Sequence, residues 1–106
     1  MKALSVKQPW ANMIASGEKT IEVRTRATRY RGPLLIVSSL KPKIEPAGCA
    51  LAIVDLIDCR PLTKADEKFA CCEFRPGLFA WVLRDVRKIR MIPIRGWLGI
   101  YEVADF

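Results

Sequence analysis

The sequence contains no histidine, no apolar run that approaches the ~18 residues of a membrane span, and no Cys-x-x-Cys pair. Without histidine, Ser-His-Asp and Cys-His catalysis are excluded, and so is any histidine-bound metal. The four cysteines, Cys49, Cys59, Cys71 and Cys72, also lack the paired spacing of a structural zinc site. The sequence therefore predicts no metal and no cofactor, and any catalysis would depend on lysine, carboxylates, hydroxyls or a thiol.

The cysteines and the first ten residues together indicate the compartment. A disulfide framework is typical of small secreted domains with insufficient cores, whereas half of this chain is apolar. The apolar character of the N-terminus is broken at Lys7 and Gln8, unlike that of a secretion signal. We expect reduced, mostly buried thiols, a cytoplasmic location and no membrane association.

The length of 106 residues and the spacing of apolar segments predict one α+β domain over residues 1–106. Strands are predicted within residues 4–6, 20–24, 32–39, 48–59, 78–86 and 98–103. A short helix is predicted between Pro9 and Gly17, and a second over residues 64–72 behind a capping box at Thr63 and Asp66. Five to six mostly antiparallel strands with two or three short helices indicate a small barrel or curled sheet.

Three tryptophans receive different predictions from their neighbours. Trp10 shares a helical face with Met13 and Ile14, which favours a core anchor. Trp81 alternates along an apolar strand and is predicted to be buried. Trp97 lies close to two glycines, and we expect it to be the more exposed ring, able to stack on a base.

The net charge of +7 is concentrated in two segments. Residues 19–43 contain seven basic residues and one acid, and residues 84–95 contain five basic residues and one acid. The segment between them has a net charge of −2. Clustered positive charge is typical of a protein that binds a polyanion, and the alternative is a generally basic, soluble surface.

The stretch GEKTIEVRT, residues 17–25, concentrates charge around two apolar residues, Ile21 and Val23. Strand alternation turns these two toward a core and Glu22 and Arg24 toward the opposite side, together with Thr20. The pair is then either a surface ion pair or, in a cleft, a carboxylate acceptor beside a guanidinium donor. Lys19 precedes the strand at a turn.

Several stretches resemble the ASCH (activating signal cointegrator homology) domain family, a branch of the PUA-like superfamily. The most specific is G-x-K-x-x-E-x-R, present as Gly17, Lys19, Glu22 and Arg24. It is flanked by QPWA, RGPLLI-x-S, LFAWVLRDV and RGWLGIYEV in the expected order. The resemblance implies a PUA-like β-barrel with a cleft between barrel and helix, lined by this motif. It also implies a ligand that is RNA or a modified nucleoside, with DNA as the alternative.

The resemblance leaves several activities open. One bacterial branch comprises amidohydrolases that deacetylate N4-acetylcytidine with the motif lysine, a threonine three residues later and a further glutamate. Lys19 matches that lysine, but Glu22 occupies the threonine position. Other relatives are proposed ribonucleases or coactivator-like protein-interaction domains. In an enzyme, Lys19 and Glu22 would be the catalytic residues.

Among these functions, we predict first that the protein is a binding module that holds RNA, or a modified base within it, in a basic cleft. Arginines of the loop after the motif are expected to contact phosphates, and polar residues after the third strand are expected at the mouth of the cleft. The predicted binding residues are Lys19, Glu22, Arg24, Arg26, Arg29, Arg31, Ser39 and Lys41.

Overall fold

Six strands form one mixed sheet in the computed structural model, which describes residues 1–104. The strands are β1 (Lys2–Val6), β2 (Ile21–Arg24), β3 (Gly32–Ser38), β4 (Cys49–Pro61), β5 (Phe79–Pro93) and β6 (Ile100–Glu102). Their order across the sheet is β2-β5-β4-β3-β1-β6. β1 and β3 are parallel, and the other neighbouring pairs are antiparallel. The mostly antiparallel α+β architecture is confirmed, with the sheet open as a half-barrel.

The strand β3 is buried on both faces, as its unbroken apolar sequence predicts. Leu34 and Ile36 belong to the main core, which also contains residues of the first helix. Leu35 and Val37 belong to a second cluster on the other side of the sheet. β3 therefore lies between two apolar layers, one on each face of the sheet.

Helix α1 (Trp10–Ala15) packs on the sheet through Ala11 and Ile14. Gly17 ends this segment with a φ of +84°, a conformation that glycine adopts without strain. The prediction that Trp10 is a core anchor is wrong, because 39% of this residue is exposed. A helical side chain leans toward the helix N-terminus, so the ring at the first position projects past the packed part of α1.

A polar cap opens the second helical segment, which consists of a 3₁₀ turn (Lys64–Asp66) and helix α2 (Glu67–Ala70). The Thr63 N–H donates to Asp66 Oδ2 over 2.8 Å, which is the carboxylate half of the predicted capping box. The Thr63 hydroxyl donates to the same oxygen over 3.0 Å. Arg60 donates to both Asp66 oxygens over 2.8 and 2.9 Å, and this pairing holds the pKa of Asp66 well below its usual range. The segment ends at Ala70, before the predicted Cys72, because Cys71 adopts φ +55°.

Strand β5 is longer than its apolar sequence predicts, since it continues through the basic segment to Pro93. β2 pairs only with residues 79–82, so residues 84–93 pair with β4 alone within residues 1–104. A bulge interrupts the β4–β5 register near Asp85, which has φ +55°. We name residues 84–93 the β5 overhang, and its basic side chains lie on an exposed edge.

The cysteine prediction is confirmed in one respect and wrong in another. All four thiols are free, but only Cys49 is buried, and the other three are half-buried. They are half-buried because they lie at the end of β4 and directly after α2. No helix within residues 1–104 has the length and apolar character needed to cross a membrane.

Candidate nucleic-acid interface

A cleft with a volume of about 1230 Å³ opens beside α1, where the motif segment and three loops converge. Lining residues come from the segments 5–10, 19–25, 38–48 and 96–99. The segment 72–78, which leads from α2 into β5, completes the lining. Three of the four motif residues, Lys19, Glu22 and Arg24, line this cleft together.

Lys19 and Glu22 lie at its floor and are 3% and 7% exposed. The ammonium Nζ of Lys19 donates to the Ala70 carbonyl and lies 3.7 Å from Glu22 Oε1. Buried charges require partners of this kind, because desolvation disfavours an unpaired ion. Lys19 therefore joins α2 to the motif strand, in addition to any role toward a ligand.

The turn before β2 decides which way Lys19 and Thr20 lie. The Lys19 N–H donates to the Met13 carbonyl over 3.0 Å, and the Thr20 N–H donates to the Phe69 carbonyl over 2.9 Å. Because β2 begins only at Ile21, strand alternation does not extend back to these two residues. Lys19 reaches the cleft of Glu22, whereas Thr20 lines a separate, smaller cleft of about 580 Å³. The prediction that Thr20 shares a side with Glu22 is wrong.

Arg24 extends the network from Glu22 to β1. Its Nε donates to Glu22 Oε2 over 2.9 Å, and its Nη2 donates to the Ser5 carbonyl over 2.8 Å. The guanidinium carbon also lies 5.9 Å from the centre of the Trp81 ring. Trp81 is 5% exposed and donates from Nε1 to the Arg26 carbonyl over 3.0 Å, so its predicted burial is confirmed. These contacts hold the guanidinium in one orientation.

Two atoms of this network retain hydrogen-bonding capacity. Within residues 1–104, Glu22 Oε1 and Arg24 Nη1 have no partner at hydrogen-bond distance, and no buried side-chain nitrogen or oxygen lacks a partner. Both atoms are therefore reached by solvent. The floor of the cleft offers one carboxylate acceptor and one guanidinium donor to a ligand.

Positive charge and exposed aromatic rings surround this floor. Trp10 and Trp97 line the cleft and are 39% and 57% exposed. The predicted exposure of Trp97 is confirmed. The lining contains five cations and two carboxylates, a net charge of +3: Lys7, Lys19, Arg24, Lys41 and Arg75 against Glu22 and Glu73. Aromatic rings beside clustered cations are the usual components of a single-strand binding groove.

The predicted binding residues divide between the cleft and an exposed loop. Ser39 and Lys41 line the cleft with the motif residues. Arg26, Arg29 and Arg31 lie on the exposed loop after β2 and are absent from the lining. Arg31 donates to the carbonyls of its own loop and lies 3.9 Å from Asp58. A phosphate contact by these three arginines stays a prediction.

The lining residues that sequence reasoning missed include Lys7, Arg75 and Trp10. Trp10 carried a usable indication, because a ring in the first turn of a short helix is not covered by the helix body. Lys7 and Arg75 carried none, since they lie far in sequence from the motif and from both basic segments. No group of three or more cysteine, aspartate or glutamate side chains within residues 1–104 is arranged to hold a metal ion.

Comparison with known proteins identifies the family of this chain. The family model described as ASCH domain matches residues 4–93. The human protein named Activating signal cointegrator 1 is 33% identical over 90 residues, covering 62% of this chain and 16% of that protein. The mouse protein of the same name is 32% identical over 90 residues with the same coverage. The chain thus spans about a sixth of the length of the curated relatives it matches.

Solved structures extend the comparison to the fold. The crystal structure of ASCH from Zymomonas mobilis has a TM-score of 0.61 and 21% identity, covering 87% of this chain and 72% of that one. Its S128A mutant has a TM-score of 0.62 and 20% identity, covering 88% and 73% of the two chains. The predicted α+β architecture is therefore confirmed, and the fold is shared with these ASCH structures.

Proposed function

This chain belongs to the ASCH domain family, and from that premise we propose that its larger cleft binds RNA or a modified nucleoside within RNA. One observation carries the proposal. A fixed acceptor–donor pair, Glu22 and Arg24, lies at the floor of a cleft with a net charge of +3 and two exposed tryptophans. Each component suits one part of a nucleotide.

The base is bound by the floor of the cleft and by the exposed ring of Trp10. Glu22 Oε1 accepts from an exocyclic amine of the base, and Arg24 Nη1 donates to a base carbonyl or a phosphate oxygen. Lys19 holds the carboxylate in place through the 3.7 Å contact. Trp10 supplies a face on which the base stacks, since every base offers a π surface.

Phosphates are bound by the exposed cations Lys7, Lys41 and Arg75 of the same cleft. Such contacts position a strand without selecting its sequence. The loop arginines Arg26, Arg29 and Arg31 are proposed to extend this path outside the cleft. DNA is a second ligand of the same chemistry, distinguished by the absence of the 2′-hydroxyl.

Trp10→Ala is expected to weaken RNA binding about tenfold, because stacking on an aromatic side chain contributes ~1–3 kcal/mol per base. The measurement is fluorescence anisotropy with a labelled single-stranded RNA of about 12 nucleotides, a length that suits one small binding domain. Trp10→Phe should retain most of the affinity, because phenylalanine keeps a stacking face.

Phe69→Ala is the matched control for the tryptophan variant. Phe69 is 46% exposed, lies on α2 and lines only the smaller cleft. Equal losses in the Trp10 and Phe69 variants would show that stacking in the larger cleft does not hold the RNA. An unchanged affinity of Trp10→Ala for the RNA would directly contradict stacking of a base on Trp10.

Hydrolysis is a second candidate, favoured by the adjacency of Lys19 and Glu22 in a cleft. The lysine, however, donates to a backbone carbonyl, and Thr20 lies at the other cleft. We therefore expect no cytidine when the protein is incubated with N4-acetylcytidine and the products are separated by chromatography. Cytidine formed by the wild type and lost in Glu22→Gln would establish the hydrolase instead.

A further inference from the structure

The loop between β5 and β6 carries Leu98, which is the most exposed large hydrophobic residue within residues 1–104. Leu98 is 98% exposed, and its neighbour Trp97 is 57% exposed. Both line the larger cleft, so Leu98 lies at its rim. A leucine this exposed makes no contribution to the core. Its position at the rim of the cleft allows it to contact a bound ligand.

The loop is held in place at both ends. Gly96 approaches β1 closely, because a Cβ built on it would lie 2.7 Å from the Ser5 hydroxyl oxygen. At one end the Ile94 N–H donates to the Gly48 carbonyl over 3.0 Å, and at the other Ile100 of β6 pairs with Leu4 of β1. The tip residues Trp97 and Leu98 are thereby presented from a fixed base.

Charge accompanies the apolar tip. The Arg95 guanidinium lies 4.8 Å from the centre of the Trp97 ring, in the range of a cation–π contact. Ser5, which packs under Gly96, also accepts from Arg24 through its carbonyl. Gly96 at the base of the tip and Arg24 of the acceptor–donor pair therefore both lie close to Ser5 of β1, and all three line the larger cleft.

We propose that Leu98 is a wedge that enters the base stack of a structured RNA while the extruded base occupies the cleft. This inference rests on the proposed function. Proteins that extrude a base insert apolar side chains between base steps, and the inserted group offsets part of the lost stacking. The positive charge of the cleft and Arg95 favours an RNA strand at this rim over an uncharged partner.

Three labelled RNAs test the wedge by anisotropy: a single strand, a perfectly paired hairpin stem, and the same stem with one mismatched pair. The wild type is expected to bind the mismatched stem about tenfold more tightly than the perfect stem, because opening a mismatch costs less. Leu98→Ala should lose about tenfold on the mismatched stem and stay within about twofold on the single strand. As the side chain is exposed, the variant should fold normally.

Met91→Ala is the matched control, since Met91 is 59% exposed and lies on the β5 overhang, outside the cleft. Its affinities should equal those of the wild type. Wild-type binding to the single strand without any preference for the mismatched stem would overturn the wedge and leave the proposed function intact. Equal losses of Leu98→Ala on all three RNAs would also overturn it. Failure of the wild type to bind any of them at low salt would remove both proposals.

Discussion

Lys19→Met is expected to lower the free energy of unfolding by about 3 kcal/mol, the largest effect expected from a single substitution in the cleft. The ammonium group is 3% exposed, donates to the Ala70 carbonyl and faces Glu22. Its removal leaves that carbonyl without its donor and Glu22 with Arg24 as its remaining ionic partner. Breaking one side of a buried ion pair usually costs ~3–5 kcal/mol, out of ~5–15 kcal/mol for a whole domain.

Urea unfolding followed by circular dichroism at neutral pH measures this change. Lys41→Met is the matched control, because Lys41 lines the same cleft but is exposed, and its free energy of unfolding should stay within about 0.5 kcal/mol of the wild type. In Lys19→Met/Glu22→Gln, a neutral amide replaces the carboxylate, and part of the stability should return. A Lys19→Met protein as stable as the wild type would contradict the structural role.

This prediction changes how a binding defect at Lys19 is interpreted. From the motif alone, Lys19 is a ligand contact, and loss of RNA binding in Lys19→Ala would be taken to identify the site. Because the lysine also joins α2 to the motif strand, such a loss would have two causes. Substitutions of exposed residues of the cleft distinguish the two causes, because they remove a ligand contact without lowering the stability of the fold.

The second large effect is expected from reversing the exposed cations of the cleft. Lys7→Glu/Lys41→Glu/Arg75→Glu should weaken single-stranded RNA binding on the order of 100-fold at low salt. Binding through phosphates releases counterions, so the affinity of the wild type should fall steeply with salt. Each single-strand phosphate contact contributes about 0.7 to the slope of log affinity against log salt, so the variant should lose about 2 of slope.

Two variants with the same change of charge make this result specific. Lys64→Glu/Lys88→Glu/Arg90→Glu alters exposed residues outside the cleft and should retain both affinity and slope apart from a small long-range effect. Arg26→Glu/Arg29→Glu/Arg31→Glu reports whether the loop extends the phosphate path. Equal losses in the cleft variant and the Lys64 variant would mean that net charge, rather than the cleft, binds RNA.

Local patterns predicted the parts of the fold that depend on local chemistry. The double burial of β3, the glycine stop of α1 and the cap at Asp66 each follow from a few neighbouring residues, and each is present. The register of the long β4–β5 pair was not accessible in this way. Its basic half has no apolar alternation to read, and pairing with β4 holds it extended.

The site was predictable as a motif and less so as a surface. Glu22 and Arg24 share a side because β2 is a regular strand, and their pairing follows from strand geometry. Lys19 joins them only because two backbone hydrogen bonds shape the turn before β2. The Lys19 N–H donates to the Met13 carbonyl, and the Thr20 N–H donates to the Phe69 carbonyl. Such contacts between distant segments have no signature in a single sequence. For the same reason, the sequence does not predict that Arg75 and Leu98 line the cleft.

The β5 overhang has a consequence for the behaviour of the protein in concentrated solution. An edge that pairs on one side only is a template for a strand of another molecule, and two copies aligned there would lie about 4.8 Å apart. In an antiparallel pairing centred on Ile89, Lys88 would lie opposite Arg90 of the other copy, where like charges repel. The second basic segment thus works against self-association through the sheet edge, a benefit that requires no nucleic acid.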